Sequence, residues 1–137
     1  MKTKLRIDLA DFAGHSKFAC YDHFHVGTPS TNYKLTIGGY QNWMIGAAGD
    51  SMTRSGSYYL NGMPFSTHDR DNDRSSLNCA SYLTGAWWYN NCAYSNLNGL
   101  YLSGQSDHDG LAWYYFNATA GSWLTLRYSD MKLRRSG

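Results

Sequence analysis

Three aspartates at alternate positions are the residues of this chain whose type and spacing most directly indicate chemistry. In an extended or tightly looped backbone, Asp69, Asp71 and Asp73 bring neighbouring carboxylate oxygens together. All three are ionised at neutral pH if their pKa values stay near the Asp reference of about 3.9. A hard cation that takes six to eight oxygens at roughly 2.3–2.6 Å relieves their repulsion, which favours Ca²⁺ over Mg²⁺.

This acidic cluster does not follow the EF-hand pattern. Counted from Asp69, the sixth position is Arg74 where the turn needs Gly, and the twelfth is Ala80 where a bidentate Glu is required. Any further ligands would be backbone carbonyls, hydroxyls and water. A solvated acidic turn flanked by Arg70 and Arg74 explains the same spacing, so both interpretations stay open at this point.

The residues after the acidic cluster carry a second pattern. Cys79 and Cys92 enclose a Trp-Trp-Tyr run, residues 87–89, which follows Gly85 as a strand-like aromatic run follows a turn. Together with other pieces in a fixed order, this pattern resembles the fibrinogen-related domain, the C-terminal globular module of fibrinogen chains, ficolins, tachylectins, angiopoietins and tenascins. The pieces are residues 49–52, 65–67, 69–73, 78–80, 85–89, Cys92, residues 95–101, Gly110, Trp113, Met131 and Lys132.

The resemblance implies an α+β fold, in which an antiparallel central sheet precedes a loop-rich part held by calcium and a disulfide. It implies a Cys79–Cys92 bridge, which leaves Cys20 either as a buried small apolar residue or as the partner of a segment outside this sequence. It places Asp69 beside the ion, paired with Arg70 or Arg74. The implied Ca²⁺ ligands are the side chains of Asp71 and Asp73 and the backbone carbonyls of Ser75 and Leu77.

The resemblance also implies a ligand pocket beside this ion. The family places a cis peptide before the second cysteine, here Asn91–Cys92, which would direct both amides at a ligand oxygen. In ficolin-like and tachylectin-like members these amides hold an acetyl carbonyl while aromatic rings enclose its methyl group. The residues that would complete the pocket here are Leu83, Ala93, His108 and Trp123, with Ala93 where the family often has His and Leu83 where an aromatic residue is common.

Fibrinogen's knob-binding pockets place an acid near the position of Leu83. Leucine cannot pair with a basic peptide terminus, so clot-type polymerisation is not expected.

Composition excludes several function classes. The formal net charge is +2, too small to indicate a nucleic-acid partner, and we interpret the basic residues near both ends, at 2–6 and 132–135, as solvated. No apolar run is long enough for a membrane span. Asn117-Ala118-Thr119 fits the N-glycosylation acceptor pattern, which supports secretion into the extracellular space.

Catalysis is not expected. His23 and His25 share a strand face without a third metal ligand, and Ser51 lacks the Gly-x-Ser-x-Gly elbow of a nucleophile. Asp107 and Asp109 come directly before a turn glycine, Gly110, and are interpreted as solvent-facing.

Alternating apolar and polar residues predict three strands at 5–12, 17–26 and 33–37, joined by turns into an antiparallel meander. Further strands are predicted near 87–89, 111–116 and 123–128. We therefore expect one domain, 1–137, with the central sheet in about residues 1–60 and the calcium- and ligand-binding part in about 61–137.

The family's domain begins upstream of Leu5 with a disulfide-bonded subdomain and part of the sheet. An uncovered sheet edge invites pairing, so we expect a homo-oligomer or a partner along that edge.

Two functions follow from the resemblance. The first is calcium-dependent recognition of acetylated or related glycan groups in innate defence. The alternative is a protein-binding module of the angiopoietin or tenascin kind, acting in extracellular signalling or adhesion.

Overall fold

A central antiparallel sheet organises the first part of the chain and its last strand. The computed structural model describes residues 2–136. The sheet has the order β3-β2-β1-β6, and a second sheet pairs β4 with β5. The strands are β1 (Lys2–Ala10), β2 (Ser16–Val26), β3 (Leu35–Tyr40), β4 (Ser95–Asn96), β5 (Ala112–Trp113) and β6 (Tyr128–Ser136). The predicted meander and the fold class are confirmed. Helix in the described residues 2–136 is confined to one 3₁₀ turn, Pro29–Thr31, and α1, Cys79–Tyr82.

Alternation along β1 explains how the sheet forms its core. Leu5, Ile7 and Leu9 are buried, whereas Lys4 and Arg6 point to the opposite face. Because successive strand side chains point to opposite sides, one face packs on the rest of the molecule. The other face is the outer face of the sheet.

The turn between β1 and β2 is built around Asp11. Its carboxylate accepts hydrogen bonds from the backbone amides of Ala13 (3.0 Å) and His15 (2.8 Å), and its other oxygen lies 2.8 Å from His15 Nδ1. The backbone carbonyl of Asp11 accepts from Arg127 Nε at 2.9 Å. This turn therefore also holds the segment that leads into the last strand.

The last strand corrects two predictions. The sequence predicts a strand at 123–128, whereas β6 begins only at Tyr128, where that range ends. β6 pairs with β1 along its whole length, with Leu5 opposite Leu133. Residues 128–136 therefore belong to the central sheet and not to the second part predicted from about residue 61. The basic residues near both chain ends lie on these two strands, with Arg6 opposite Lys132 and Lys4 opposite Arg134. Apart from half-buried Lys4, they are exposed, in agreement with the prediction that they are solvated.

The region between β3 and β6 consists mainly of loops packed around aromatic side chains. Trp87, Tyr89 and Trp113 are fully or almost fully buried there. The strand predicted at 87–89 is reduced to one bridge between Trp87 and Ser66, and the one predicted at 111–116 is the two-residue β5. Burial of large rings, rather than continuous strand pairing, explains the aromatic runs.

The two edges of the central sheet differ. At β3, the amide of Leu35 donates to Met63 O, the amide of Gly62 donates to Leu35 O, and the Ile37 amide donates to Asn61 Oδ1. Residues 61–63 thus cover part of that edge. Within residues 2–136, no strand pairs with the outer edge of β6, and the predicted self-association remains a prediction.

Candidate functional site

The acidic cluster lies in a loop whose side-chain oxygens accept hydrogen bonds from nearby backbone amides. Asp73 Oδ1 accepts from the amide of Ser75 at 2.9 Å, and Asp73 Oδ2 accepts from the amide of Cys79 at 2.9 Å. Asp71 Oδ1 accepts from the amide of Asp73 at 3.2 Å, and Ser75 Oγ accepts from the amide of Leu77 at 3.1 Å. The conformation of residues 71–79, which we call the acidic loop, is therefore fixed by its own short-range hydrogen bonds.

The electrostatics of this loop fit a cation. Partial burial and the neighbouring negative charge of Asp71 together raise the pKa of Asp73 above its ordinary value, against the lowering effect of the amides of Cys79 and Ser75. Within the described residues, no Lys, Arg or His forms an ion pair with either carboxylate. Exposed Asp71 and half-buried Asp73 supply two carboxylates without a cationic partner, and carboxylate oxygens are the donors that Ca²⁺ accepts, so the residues present fit this ion.

Asp69 does not have the expected partner. Its carboxylate accepts from the hydroxyl of Thr67 at 2.7 Å, and within residues 2–136 it forms no ion pair with Arg70 or Arg74. The hydroxyl closes a local turn, and the side chain of Asp69 is exposed. The predicted pairing is therefore wrong.

A disulfide ties the acidic loop to the aromatic run. Cys79 and Cys92 are joined, as the family resemblance implied, and the Asn91–Cys92 peptide is cis. Cys79 begins α1, whose N-cap is Asn78, with Asn78 Oδ1 accepting from the amide of Ser81 at 3.1 Å. The bridge places the end of the acidic loop next to residues 90–93.

The predicted pocket residues lie around one cleft of about 390 Å³. Ala93 and Leu83 are buried, with exposed fractions of 2% and 3%, so the cleft has an apolar part. Two residues of the acidic loop, Ser75 and Leu77, belong to the same lining. The lining consists of Tyr58, Ser75, Leu77, Tyr82, Leu83, Asn91, Cys92, Ala93, His108 and Trp123.

One of the two amides expected to face a ligand is already used. The amide of Asn91 donates to the carbonyl of Ser57 at 2.9 Å, which contradicts its predicted role as a free donor. Within residues 2–136, no protein acceptor is paired with the amide of Cys92. Of the two amides expected to face a ligand, that of Cys92 therefore remains as the backbone donor.

Two aromatic side chains of the cleft were not predicted. Tyr82, 51% exposed, stacks on His108 with ring centroids 4.5 Å apart, and His108 Nδ1 lies 3.3 Å from an Asp107 oxygen. Tyr58 packs edge-on against Tyr94 at 4.5 Å. No sequence signal identifies Tyr58, because the loop bearing it has no periodic pattern. The signal that could have identified Tyr82 as a cleft residue is its position in α1, three residues after Cys79.

Comparison with known proteins decides the family. The family model described as the C-terminal globular domain of fibrinogen beta and gamma chains matches residues 1–136. The chain belongs to this fibrinogen family. Fibrinogen-like domains are non-enzymatic binding modules, in agreement with the prediction that this chain is not an enzyme.

Several relatives of this fibrinogen-like domain are substantially similar to it. Ryncolin-4 of Cerberus rynchops is 44% identical over 133 residues, covering 96% of this chain and 35% of the relative. Fibrinogen C domain-containing protein 1-A of Xenopus laevis is 43% identical over 138 residues, covering 96% and 28%. The chain thus spans about a third of the length of these curated relatives.

Solved structures share the fold. The fibrinogen-like globe domain of human ANGPTL6 is 38% identical with a TM-score of 0.84, covering 99% of this chain and 58% of that one. The lamprey fibrin D-dimer, complexed with the peptide ligand Gly-His-Arg-Pro-amide, is 31% identical with a TM-score of 0.81, covering 100% and 48%.

Three further predictions for this fibrinogen-like domain concern places outside the cleft. Asn117 is exposed, and its Oδ1 accepts from the amide of Thr119 at 3.0 Å. Cys20 is a free, half-buried thiol on β2. It is therefore less buried than the alternative of a small apolar core residue predicts. Among residues 2–136, no helix is long and apolar enough to cross a bilayer.

Proposed function

We propose that this fibrinogen-like domain recognises acetylated or related glycan groups in a calcium-dependent manner, at the cleft beside the acidic loop. The observation that supports it most is shared lining: Ser75 and Leu77 belong both to the proposed ion loop and to the cleft. An ion held by Asp71 and Asp73, with the carbonyls of Ser75 and Leu77, would stabilise this wall of the cleft. The calcium contributes order to the wall, and the chain's own residues bind the sugar.

The chemistry of the lining suits an acetamido group. Such a group presents a carbonyl oxygen beside a methyl group, and the cleft offers the Cys92 amide beside the apolar side chains of Ala93 and Leu83. The half-buried ring of Trp123 and the exposed ring of Tyr82 extend the apolar surface, and aromatic rings supply contact area with a polar tip. His108, held against Tyr82, adds a ring nitrogen at the rim.

The setting that fits this function is extracellular. The Cys79–Cys92 bridge is the kind of structural disulfide that persists in oxidising compartments, and exposed Asn117 is accessible for glycosylation. We propose a secreted domain in an innate-defence role, with residues from about 61 onward, apart from β6, carrying the ion and the ligand. Its oligomeric state stays a prediction.

A glycan array, read with calcium and with a chelator, tests the proposal. We expect selective binding to acetylated sugars that calcium supports and free N-acetylated sugar competes away. Replacement of Tyr82 or Trp123 by Ala should abolish that signal, and Tyr101→Ala, a change at an exposed aromatic outside the cleft lining, should leave it intact. Binding that ignores the chelator, or that survives loss of both rings, contradicts the proposal.

The alternative is a protein-binding module. One observation favours it: the lamprey fibrin structure similar to this chain holds a peptide. Leu83 gives this cleft no acid for a basic peptide terminus, so the glycan remains our first choice. Silence across the array, with retained folding, would favour the protein-binding role.

A further inference from the structure

The connection after β3 carries the two most exposed large apolar side chains of the described residues. Ile45 is 98% exposed and Trp43 is 72% exposed, both above every other large hydrophobic residue in that part of the chain. They lie in residues 41–47, which we call the tip loop. Exposed apolar side chains of this size, grouped in one short loop, mark an interaction surface.

The base of the tip loop is fixed to the sheet. The amide of Gln41 donates to Cys20 O at 2.9 Å, and directly after the loop the amide of Ala48 donates to Phe18 O at 2.8 Å. Gln41 Oε1 accepts from Trp43 Nε1 at 2.6 Å. The loop is thus held at both ends on β2 and presents its apolar tip outward.

A row of cations lies next to this tip. Trp43 and Met44 line a groove of about 500 Å³ on the outer face of the sheet. The strand register places Arg6 opposite Lys132 and Lys4 opposite Arg134, so the four charges are contributed in pairs by β1 and β6. The charged residues of the lining are Lys4, Arg6, Lys132, Arg134 and Asp22.

Carboxylates offset only part of this charge. Lys132 Nζ lies 2.9 Å from Asp8 and 3.4 Å from Asp130. Asp8 also pairs with Arg6 at 3.0 Å, and Lys4 lies 3.8 Å from Asp22. Within residues 2–136, Arg134 forms no ion pair. The groove therefore keeps a net positive charge beside the apolar tip.

We propose that the tip loop and this groove dock the domain on an anionic lipid surface, with Trp43 and Ile45 inserted at the headgroup boundary. Tryptophan prefers that boundary because its ring is apolar and its N–H is polar. Basic residues within a few ångströms of the surface are attracted by anionic headgroups, and apolar insertion plus this attraction together give peripheral binding. The charge of the groove matches an anionic bilayer, and a tip that projects outward suits a soft surface better than a preformed protein pocket.

The experiment uses the full chain and vesicles of phosphatidylcholine with and without phosphatidylserine. We expect co-sedimentation with the phosphatidylserine vesicles alone, weakened by salt. Trp87, Trp88 and Trp113 are buried at 2%, 7% and 0% exposure, and Trp123 is half-buried. We therefore expect a blue shift of tryptophan emission on binding to come chiefly from Trp43, and its loss on Trp43→Ala separates it from any signal of Trp123. Equal binding to neutral vesicles, or none to either, overturns the proposal.

Variants assign the effect to these residues. The double change Trp43→Ala and Ile45→Ser removes side chains with little packing, and should abolish co-sedimentation and the blue shift. Arg134→Glu should weaken binding roughly tenfold or more. Tyr101→Ala, a matched loss of an exposed ring that does not line the groove, should bind as the parent does.

Self-association is the competing occupant of this surface. If sedimentation shows a dimer that the Trp43/Ile45 double variant converts to monomer, while vesicle binding persists, the lipid proposal is wrong. Glycan binding is measured separately on the same variant, so failure of either proposal leaves the other testable.

Discussion

The side-chain amide nitrogen of Asn96 donates a 2.8 Å hydrogen bond to the backbone carbonyl of Leu83, a residue of the cleft lining. The same nitrogen lies 3.2 Å from Gly110 O, and Asn96 Oδ1 accepts from the hydroxyl of Tyr89 at 2.5 Å. Asn96 is fully buried. One side chain thus connects the end of α1, the aromatic run and the segment before β5.

Replacing Asn96 by Ala should destabilise the domain strongly. The change leaves Leu83 O, Gly110 O and the Tyr89 hydroxyl buried without this partner, and each unsatisfied group costs about 1–3 kcal/mol. We expect a loss of roughly 3 kcal/mol in the free energy of unfolding, measured by denaturant titration. Asn98→Ala is the matched control, because its hydrogen bond to Ala86 O is exposed, and an equal loss in both variants contradicts this account.

Calcium should stabilise the domain through Asp71 and Asp73. We expect the melting temperature to rise with calcium, because an ion that binds only the folded state shifts the unfolding equilibrium. Asp71→Ala should remove this rise, whereas Asp69→Ala should keep it, since Asp69 is exposed and accepts from Thr67. Differential scanning fluorimetry with calcium and with chelator measures both, and a calcium response retained in Asp71→Ala contradicts the site.

The calcium effect should also weaken in acid. Burial and the charge of Asp71 raise the pKa of Asp73 in the calcium-free fold, so protonation of Asp73 stabilises that fold below its raised pKa, and the gain is lost as the pH rises through it. Calcium needs the ionised form. The calcium-induced shift in melting temperature should therefore shrink as the pH falls through the pKa of Asp73, and a shift that is constant with pH argues against this carboxylate as a ligand.

Asp11 should make stability depend on pH in the opposite sense. Burial alone would raise its pKa, but the bonds from the His15 side chain and from the amides of His15 and Ala13 outweigh burial and lower it. A lowered folded-state pKa contributes stability above the unfolded pKa that is lost as the pH falls through the folded pKa. Asp11→Asn should therefore cost about 1–3 kcal/mol near neutral pH, and the difference from the parent should vanish in acid.

Chemical denaturation of both proteins across a pH series measures the effect of Asp11. Asp22→Asn changes a half-buried carboxylate that lies 3.8 Å from Lys4 and accepts from Gln41 Nε2 at 2.9 Å. Because asparagine keeps an acceptor oxygen there, this control should stay within about 0.5 kcal/mol of the parent. A cost for Asp11→Asn that persists unchanged in acid would show that shape, not charge, is responsible.

Loss of the disulfide should loosen the loop-rich part. The bridge spans a sequence separation of 13, and closing a loop of this size contributes about 3 kcal/mol in the chain-entropy model. We expect a Cys79→Ser, Cys92→Ser variant to lose about this much stability and to bind calcium more weakly, because the Cys79 amide donates to Asp73. Cys20→Ser, at the free thiol, should leave calcium binding unchanged, as isothermal titration can show.

Much of the site could be predicted from the sequence because its residues follow local patterns. Asp71 and Asp73 alternate, and Leu83, Ala93, His108 and Trp123 were placed by the family motif, and all four line one cleft. The free amide of Asn91 was predicted wrongly, since its acceptor, Ser57 O, lies far away in sequence. Tyr58 was missed because the loop that positions it has no periodic pattern of apolar and polar residues.

The sequence by itself determined the strands of the meander, the acidic loop and the family, because alternation, carboxylate spacing and the cysteine pattern are properties of neighbouring residues. Only the tertiary structure decided that residues 128–136 complete the central sheet, so that Lys132 lies opposite Arg6. It also decided that Trp43 and Ile45 remain exposed on a fixed loop. These features depend on pairing between segments distant in the chain, and hydrophobicity along one segment does not specify which distant strand or side chain will cover it.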